Sequence, residues 1–331
     1  MKVVAEFLGL SYGFEGLAGW MLAGLMVIGL VLLMLGGDWL TRGSSGIALR
    51  FKVSSVVVGL TIVSAATSMP ELVTSLIGVL AGSPDLATGN VVGSNAANIG
   101  LILGSAALIA SIKVHRRLLK REMPMMLVAT FVFYLLAALG GGIGRLDGLL
   151  LLAGIVAVNF FLLRAAKRGE IEVEVVETVG TSKLGILVLW VVLGGVALMV
   201  GAEILVDSSV VAARRIGITE GLIGLTVLAV GTSLPELGAT LAAVRRGETG
   251  IVIGNIVGSN LFNIGLIIGV VGLVQPFPVP ASMLRVEFPG MLILTVLVGI
   301  MMYSGKVFSR REGLILMVLY GGYIALAAIF Q

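Results

Sequence analysis

Of the 18 acidic residues in this 331-residue chain, two, Glu71 and Glu236, fall deep inside apolar segments. A charged side chain at the centre of a membrane span costs about 2.5–3.5 kcal/mol on insertion scales, so such residues face a polar interior and mark a pathway. The bland alternative is a protonated or ion-paired glutamate that only locks helices together. No Lys or Arg occurs in the middle of any apolar segment to serve as its partner. The pair is read as functional.

Each glutamate follows a proline, in TSMPE at 67–71 and TSLPE at 232–236. Proline cannot donate the backbone hydrogen bond to the residue four before it, and its ring crowds that carbonyl, so the helix kinks or unwinds there. Bare backbone is tolerated at this depth only where it is buried in protein or lines a polar cavity. Carbonyls beside a carboxylate suit a hard cation. The candidate oxygen ligands are the Thr67 and Thr232 carbonyls, the Ser68 and Ser233 hydroxyls, and Glu71 and Glu236. An oxygen-only site suits Na⁺ or Ca²⁺ far better than a soft metal. For any one Ser or Thr taken alone, a local bond to the preceding turn is an equally good reading.

A second polar stripe follows each glutamate. In GNVVGSNAANIG, Asn90, Ser94 and Asn98 are spaced by four, as are Asn255, Ser259 and Asn263, so each trio shares one helix face. Gly89, Gly93, Gly100 and Gly104, with Gly254, Gly258, Gly265 and Gly269, follow the small-xxx-small spacing that permits close helix contact. Helix packing through interhelical amide bonds accounts for Asn90 and Asn255. Ser94, Asn98, Ser259 and Asn263 are read as ion contacts.

The elements that position these residues are membrane spans. The chain is 58% apolar and 12% charged, with a mean hydropathy of +1.13, outside the range of a soluble domain of this length. Ten apolar stretches are long enough to cross a bilayer as helices: 17–38, 53–80, 88–111, 123–141, 147–163, 184–206, 220–244, 251–273, 287–304 and 313–330. The first is too long, and too closely followed by basic residues, for a cleaved signal peptide. Every second connection is basic, and these connections hold 17 of the 22 Lys and Arg. The positive-inside rule makes them cytoplasmic, so the chain is expected in the cell membrane with both termini outside. The formal charge of +4 thus orients the chain and calls for no nucleic acid. With no cysteine there is no thiol chemistry, and the single histidine, His115, lies in the most basic connection and makes a poor metal-site argument.

Residues 59–104 align without a gap to 224–269, with 23 of 46 positions identical at an offset of 165. The identities include nearly every polar residue inside the apolar segments. The same offset places Asp38 opposite Glu203 and Ser44 opposite Ser209, extending the duplication to whole halves: 1–163, a cytoplasmic linker at 164–183, and 184–331. The linker carries alternating acids that could form a short strand, but it reads as a solvated connection too short for a regulatory domain. Five spans per half is an odd number, so the second half enters the membrane from the opposite side. Inverted repeats of this kind place a binding site at mid-membrane between them. The expected fold is an all-α membrane protein of ten transmembrane helices in two inverted five-helix repeats, with broken helices at a central ion site.

The paired TSxPE and GNxxGSNxxNIG motifs in inverted halves resemble the alpha repeats of the sodium/calcium exchanger family, within the cation/calcium exchanger superfamily, in its prokaryotic type without a regulatory domain. The likeness covers essentially the whole chain. It implies that Glu71 and Glu236 bind calcium with the Thr67 and Thr232 carbonyls, and that Ser68, Ser233, Ser94 and Ser259 help form flanking sodium sites. The carbonyls of Ser64 and Ala229 are weaker candidates. Ala66 stands where the second repeat has glycine. Asn263 stands where some relatives carry aspartate, a residue linked to potassium coupling in potassium-dependent members; with Asn98 and Asn263 both neutral, the resemblance speaks against potassium dependence. Proton-coupled relatives lack the Ser-x-Pro-Glu pattern. The expected activity is electrogenic exchange of Na⁺ for Ca²⁺ by alternating access, with the two ions as substrates, no cofactor, and the monomer as working unit. A proton-coupled antiporter is the alternative, and a cation channel the rival from a different class. No nucleophile has an adjacent base and no nucleotide-binding loop is present, which argues against an enzyme.

Overall fold

The computed structural model describes residues 14–114, 120–167, 183–218, 229–305 and 307–330. His115 and the acidic stretch of the linker lie outside these residues. Apolar helices account for nearly everything described. The first half contains α1 (Gly19–Phe51), α2 (Ser55–Thr67), α3 (Met69–Leu80), α4 (Pro84–Ala97, continued through Asn98–Leu103 and Gly104–Ile109), α5 (Glu122–Gly140) and α6 (Arg145–Lys167). The second contains α7 (Leu184–Arg215), α8 (Ala229–Gly231), α9 (Leu234–Arg245), α10 (Thr249–Val274), the short α11 (Ala281–Arg285), α12 (Glu287–Gly305) and α13 (Arg310–Phe330).

Among the described residues, eight helices are long and apolar enough to cross a membrane, and α2 with α3 adds a ninth as one span bent by 43°. The tenth stretch read from the sequence, 220–244, begins on residues outside the described set; α8 and α9 are its described part. Helices α4 and α10 are largely enclosed by the rest, whereas α1, α5, α6, α7 and α13 turn rows of Leu, Val and Ile outward. Outward apolar rows on helices of this length are what lipid requires, and the chain is an all-α membrane protein.

Three boundaries differ from the sequence reading. The stretches 17–38 and 184–206 belong to helices of 33 and 32 residues. At 1.5 Å per residue each is about 50 Å long, well over the hydrocarbon thickness. Arg42 and Arg50 therefore sit on the last turns of α1, not in a loop, and α6 continues to Lys167 into the segment expected to be linker. The polar run GSSG at 43–46 remains helical because packing holds it: Gly43, Ser44, Ser45 and Gly46 are all buried.

That packing is a glycine crossing. A Cβ placed on Gly29 would lie 2.8 Å from the Gly201 carbonyl, one on Gly36 2.7 Å from the Leu198 nitrogen, and one on Gly43 2.7 Å from the Leu187 carbonyl. Helices α1 and α7 thus run antiparallel in backbone contact, with Gly29, Gly36 and Gly43 seven residues apart on one face. Small residues permit this approach, and close approach maximises dispersion where lipid supplies no hydrophobic drive. Gly37, the next residue round α1, lies against the Gly238 carbonyl of α9.

Two small antiparallel ribbons tie connections together: β1 (Ile112–Lys113) pairs with β4 (Val307–Phe308), and β2 (Gly142–Ile143) with β3 (Phe277–Pro278). The register pairs Ile112 with Phe308 and Ile143 with Phe277. Adding 165 to Ile112 and subtracting it from Phe308 gives Phe277 and Ile143, so each ribbon is the image of the other under the repeat offset. Each ribbon also joins two connections that the distribution of basic residues assigns to one face of the membrane.

Candidate ion-binding site

The site is built where two helices break. Between α2 and α3, Ser68 leaves helical geometry at φ −84°, ψ 2°; between α8 and α9, Ser233 does the same at φ −91°, ψ 7°. Pro70 and Pro235 occupy the first turn of the helix that follows, where a missing N–H costs nothing. The backbone bonds across the first break run from Ser68 N–H to the Ser64 carbonyl at 2.9 Å and from Leu72 N–H to the Ser68 carbonyl at 3.2 Å. The second keeps Ser233 N–H to the Val230 carbonyl at 3.1 Å and Leu237 N–H to the Ser233 carbonyl at 3.0 Å. No backbone N–H is paired across either break with the carbonyl of Thr67 or Thr232 among the described residues, which leaves them free to act as acceptors. The proline argument from sequence thus locates both breaks.

The difference at position 66 has a local cause. A Cβ on Gly231 would stand 2.6 Å from the Val206 side chain, whereas the methyl group of Ala66 rests 3.7 Å from the position a Cβ would take on Gly195. Alanine is accommodated in the first repeat, and glycine is needed in the second.

Glu71 and Glu236 lead the two following helices, are 0% and 1% exposed, and are close enough to act on each other electrostatically. Ser68 Oγ donates to Glu236 Oε1 at 3.3 Å. Both oxygens of Glu71, Oε2 of Glu236 and the Ser233 hydroxyl are buried without a hydrogen bond. Buried acceptors without donors are costly, and a hard cation satisfies several of them at once.

The stripes on α4 and α10 close over the breaks from opposite repeats. Thr67 Oγ1 lies 3.4 Å from Ser259 Oγ, and Ser94 Oγ lies 3.5 Å from Thr232 Oγ1, each contact the image of the other under the offset. Thr67 Oγ1 also reaches Asn255 Oδ1 at 3.4 Å. The structure therefore brings Thr67, Ser68, Glu71, Ser94, Thr232, Ser233, Glu236 and Ser259 into one cluster. Asn98 and Asn263 sit one turn beyond Ser94 and Ser259, buried, each with an Oδ1 that carries no hydrogen bond. Ser64 is spoken for: its hydroxyl donates to the Gly59 carbonyl at 2.8 Å, and its carbonyl takes the Ser68 N–H. Ala229 opens the described part of α8, directly before the second break.

Asn90 and Asn255 serve packing, as the sequence suggested. Asn90 Nδ2 donates to Ser75 Oγ at 2.9 Å and to the Glu71 carbonyl at 3.2 Å, while Asn255 Nδ2 donates to Thr240 Oγ1 at 3.1 Å. They clamp each glutamate-bearing helix to the stripe helix of its own repeat. Six of the eight row glycines are close contacts: Gly254 and Gly258 lie against α2, Gly100 and Gly104 against α13, and Gly265 and Gly269 against α6. Among the described residues Gly89 meets only the end of the Met283 side chain at 3.4 Å and Gly93 meets nothing within 4 Å, so the expected close approach is not made there.

Two features escaped the sequence reading. Both stripe helices turn π-helical from their third asparagine, over Asn98–Leu103 and Asn263–Ile268, a wide turn common at functional sites. Asn95 and Asn260 lie off the spaced-by-four stripe, yet they are identical at the repeat offset and are bonded across the molecule. That identity was the available signal; an asparagine beside a serine in a glycine-rich run does not announce its partner.

Long apolar helices wrapped around a buried, oxygen-lined acidic cluster define a multi-pass membrane protein with a polar interior. Comparison with known proteins specifies which. The family described as sodium/calcium exchanger protein matches residues 21–164 and again 186–329, two stretches related by the same offset of 165. The chain is 34% identical to the putative antiporter CaxA of Alkalimonas amylolytica, covering 90% of this chain and 96% of that one. It is 32% identical to the sodium/calcium exchanger MaX1 of Methanosarcina acetivorans, covering 91% and 96%. The fold matches the sodium-calcium exchanger NCX_Mj soaked with 10 mM Na⁺ and zero Ca²⁺ at a TM-score of 0.80 and 31% identity, over 93% of this chain and 99% of that one. The chain belongs to the sodium/calcium exchanger family.

Proposed function

We propose that this protein is a secondary antiporter that exchanges Na⁺ for Ca²⁺ by alternating access, through one site shared by two inverted five-helix repeats. The observation that carries the reading is the buried carboxylate pair: Glu71 and Glu236, one from each half, with three bare oxygens between them beside two broken helices. When both are ionised the site has a charge of −2, which one Ca²⁺ or two Na⁺ would neutralise. Thr67, Ser68, Ser94 and Asn98, with Thr232, Ser233, Ser259 and Asn263, supply further oxygens; the Ala229 carbonyl is a weaker candidate, and the Ser64 carbonyl weaker still because it already takes the Ser68 N–H.

Exchange follows from the cost of crossing empty. Unpaired carboxylates carried through a low-dielectric interior pay a large desolvation penalty, so the site moves when it is filled and stalls when it is not. Movement of more than two Na⁺ per Ca²⁺ transfers net charge, and a membrane potential then changes the rate. The orientation that fits the basic residues places both termini outside the cell membrane.

Proteoliposomes loaded with sodium should accumulate external calcium only while the sodium gradient lasts, and Glu71→Ala or Glu236→Ala should reduce uptake to that of empty liposomes. Equal uptake driven by a pH gradient without sodium would move the protein to the proton-coupled branch. Calcium flux with no counter-ion dependence would make it a channel.

A further inference from the structure

Four asparagines at the centre of the molecule form two crossed pairs. Asn98 Nδ2 donates to Asn260 Oδ1 at 3.0 Å, and Asn263 Nδ2 donates to Asn95 Oδ1 at 3.0 Å. The offset of 165 turns each pair into the other, and all four side chains are buried. A side-chain amide has one oxygen acceptor and one nitrogen with two donors, so engaging the nitrogen decides which way the group faces. Engaging Nδ2 of Asn98 and of Asn263 leaves their Oδ1 atoms as the buried oxygens that carry no hydrogen bond.

The partners are themselves tied. Asn95 Nδ2 donates to the Asn260 main-chain carbonyl at 3.4 Å, and Asn260 Nδ2 reaches Met126 Sδ at 3.4 Å. With their own nitrogens held, Asn95 and Asn260 offer oxygen to the opposite repeat. Were either to turn over, the amide it faces would turn as well and present a donor where its oxygen now stands, which repels a cation.

We propose that Asn95 and Asn260 are positioning residues of the cation site: each holds the ligand amide of the opposite repeat with its oxygen toward the bound cation. The inference rests on the reading of Asn98 and Asn263 as cation ligands. Its consequence is crossed dependence. Asn260, on the second repeat, acts through Asn98 on the first, and Asn95 acts through Asn263, so neither half can hold the shared cation alone. Partners that orient metal ligands typically contribute about 10- to 100-fold to affinity.

The test uses the purified full-length protein and the rise in its melting temperature with added NaCl or CaCl₂, from which a half-saturating concentration is read. Asn260→Ala should raise half-saturation about tenfold. Combined with Asn98→Ala it should add almost nothing further, whereas combined with Asn263→Ala the two effects should multiply. Asn95→Ala should show the mirror pattern, coupled to Asn263 and independent of Asn98. Asn260→Asp keeps an acceptor for Asn98 Nδ2 and should bind sodium no more weakly than the parent. A purely structural demand for the amide would penalise Asp and Ala alike, and that result overturns the proposal. So does an Asn260→Ala effect that multiplies with Asn98→Ala. If Asn260→Ala does not fold, Asn260→Leu against Asn260→Asp carries the same contrast at nearly constant volume, and the Asn95 pair repeats it independently. A parent protein stabilised by neither sodium nor calcium would overturn the reading of the site itself. A parent that is stabilised but shows no crossed dependence would overturn only the positioning role.

Discussion

The two halves share several scaffold contacts pair for pair, yet they differ at the carboxylates. Asn90 on Ser75 is repeated as Asn255 on Thr240, Thr67 beside Ser259 as Thr232 beside Ser94, and one β-ribbon as the other. At the centre the match fails: the Ser68 hydroxyl is bonded to Glu236, whereas the Ser233 hydroxyl carries no hydrogen bond and both side-chain oxygens of Glu71 are bare. A second difference lies at one face, where Arg246 pairs with Asp38 at 3.1 Å and Ser45 donates to Glu248 at 2.8 Å. The residues related to Asp38 and Arg246 by the offset are Glu203 and Ala81, which cannot make the pair. Duplication thus specifies a symmetric frame, and a few unmatched side chains distinguish one end of it from the other.

The sharpest test of the shared site is charge removal. Glu71→Gln and Glu236→Gln should each abolish sodium-driven calcium uptake in proteoliposomes, and to the same extent, because either one halves the charge of a common site. A variant that kept substantial uptake would show that the halves do not contribute equally. Next in size is the glycine crossing. Gly36→Ala and Gly201→Ala, each forcing a Cβ into backbone, should lower stability by about 1–3 kcal/mol in thermal melts. Gly24→Ala, with nothing within 4 Å, should be neutral or slightly stabilising. Equal behaviour of all three would remove the crossing from the account of the fold.

The serines probe the asymmetry directly. Loss of one hydrogen bond costs about 0.5–1.5 kcal/mol, so Ser68→Ala should lower the melting temperature of the cation-free protein, while Ser233→Ala should leave it unchanged. Both should weaken cation-induced stabilisation. Equal melting of the two cation-free variants would mean that the difference at the centre has no energetic weight. Smallest of all is the Asp38–Arg246 pair, whose side chains are 49% and 33% exposed. Arg246→Gln should change stability by about 0–1 kcal/mol, and exchanging the two charges should restore what is lost.

Several elements were legible before any coordinates. The offset of 165, the prolines that break both central helices and the two buried glutamates follow from residue type and spacing, because a charge or a proline in an apolar helix has few tolerable explanations. Helix ends were not legible in this way. GSSG at 43–46 resembles a turn by composition, but it is buried helix, with Gly43 and Gly46 against α7 and Ser45 bonded to Glu248. The π-turns at Asn98 and Asn263 left no composition signature that distinguishes them from ordinary helix.

By itself, then, the sequence determined that the chain lives in lipid, that it is a duplication, and that each copy brings one glutamate beside a broken helix. These are local matters of transfer energy and backbone chemistry, settled within one segment at a time. Only the tertiary structure decided which segments meet. A stripe of Asn and Ser at intervals of four names a helix face but not what the face will touch. The crossed pairs Asn98–Asn260 and Asn95–Asn263, the bond from Ser68 to Glu236, and the backbone contact of α1 with α7 join residues more than 130 positions apart. Such partners are chosen by how whole helices pack, which no short window of sequence contains.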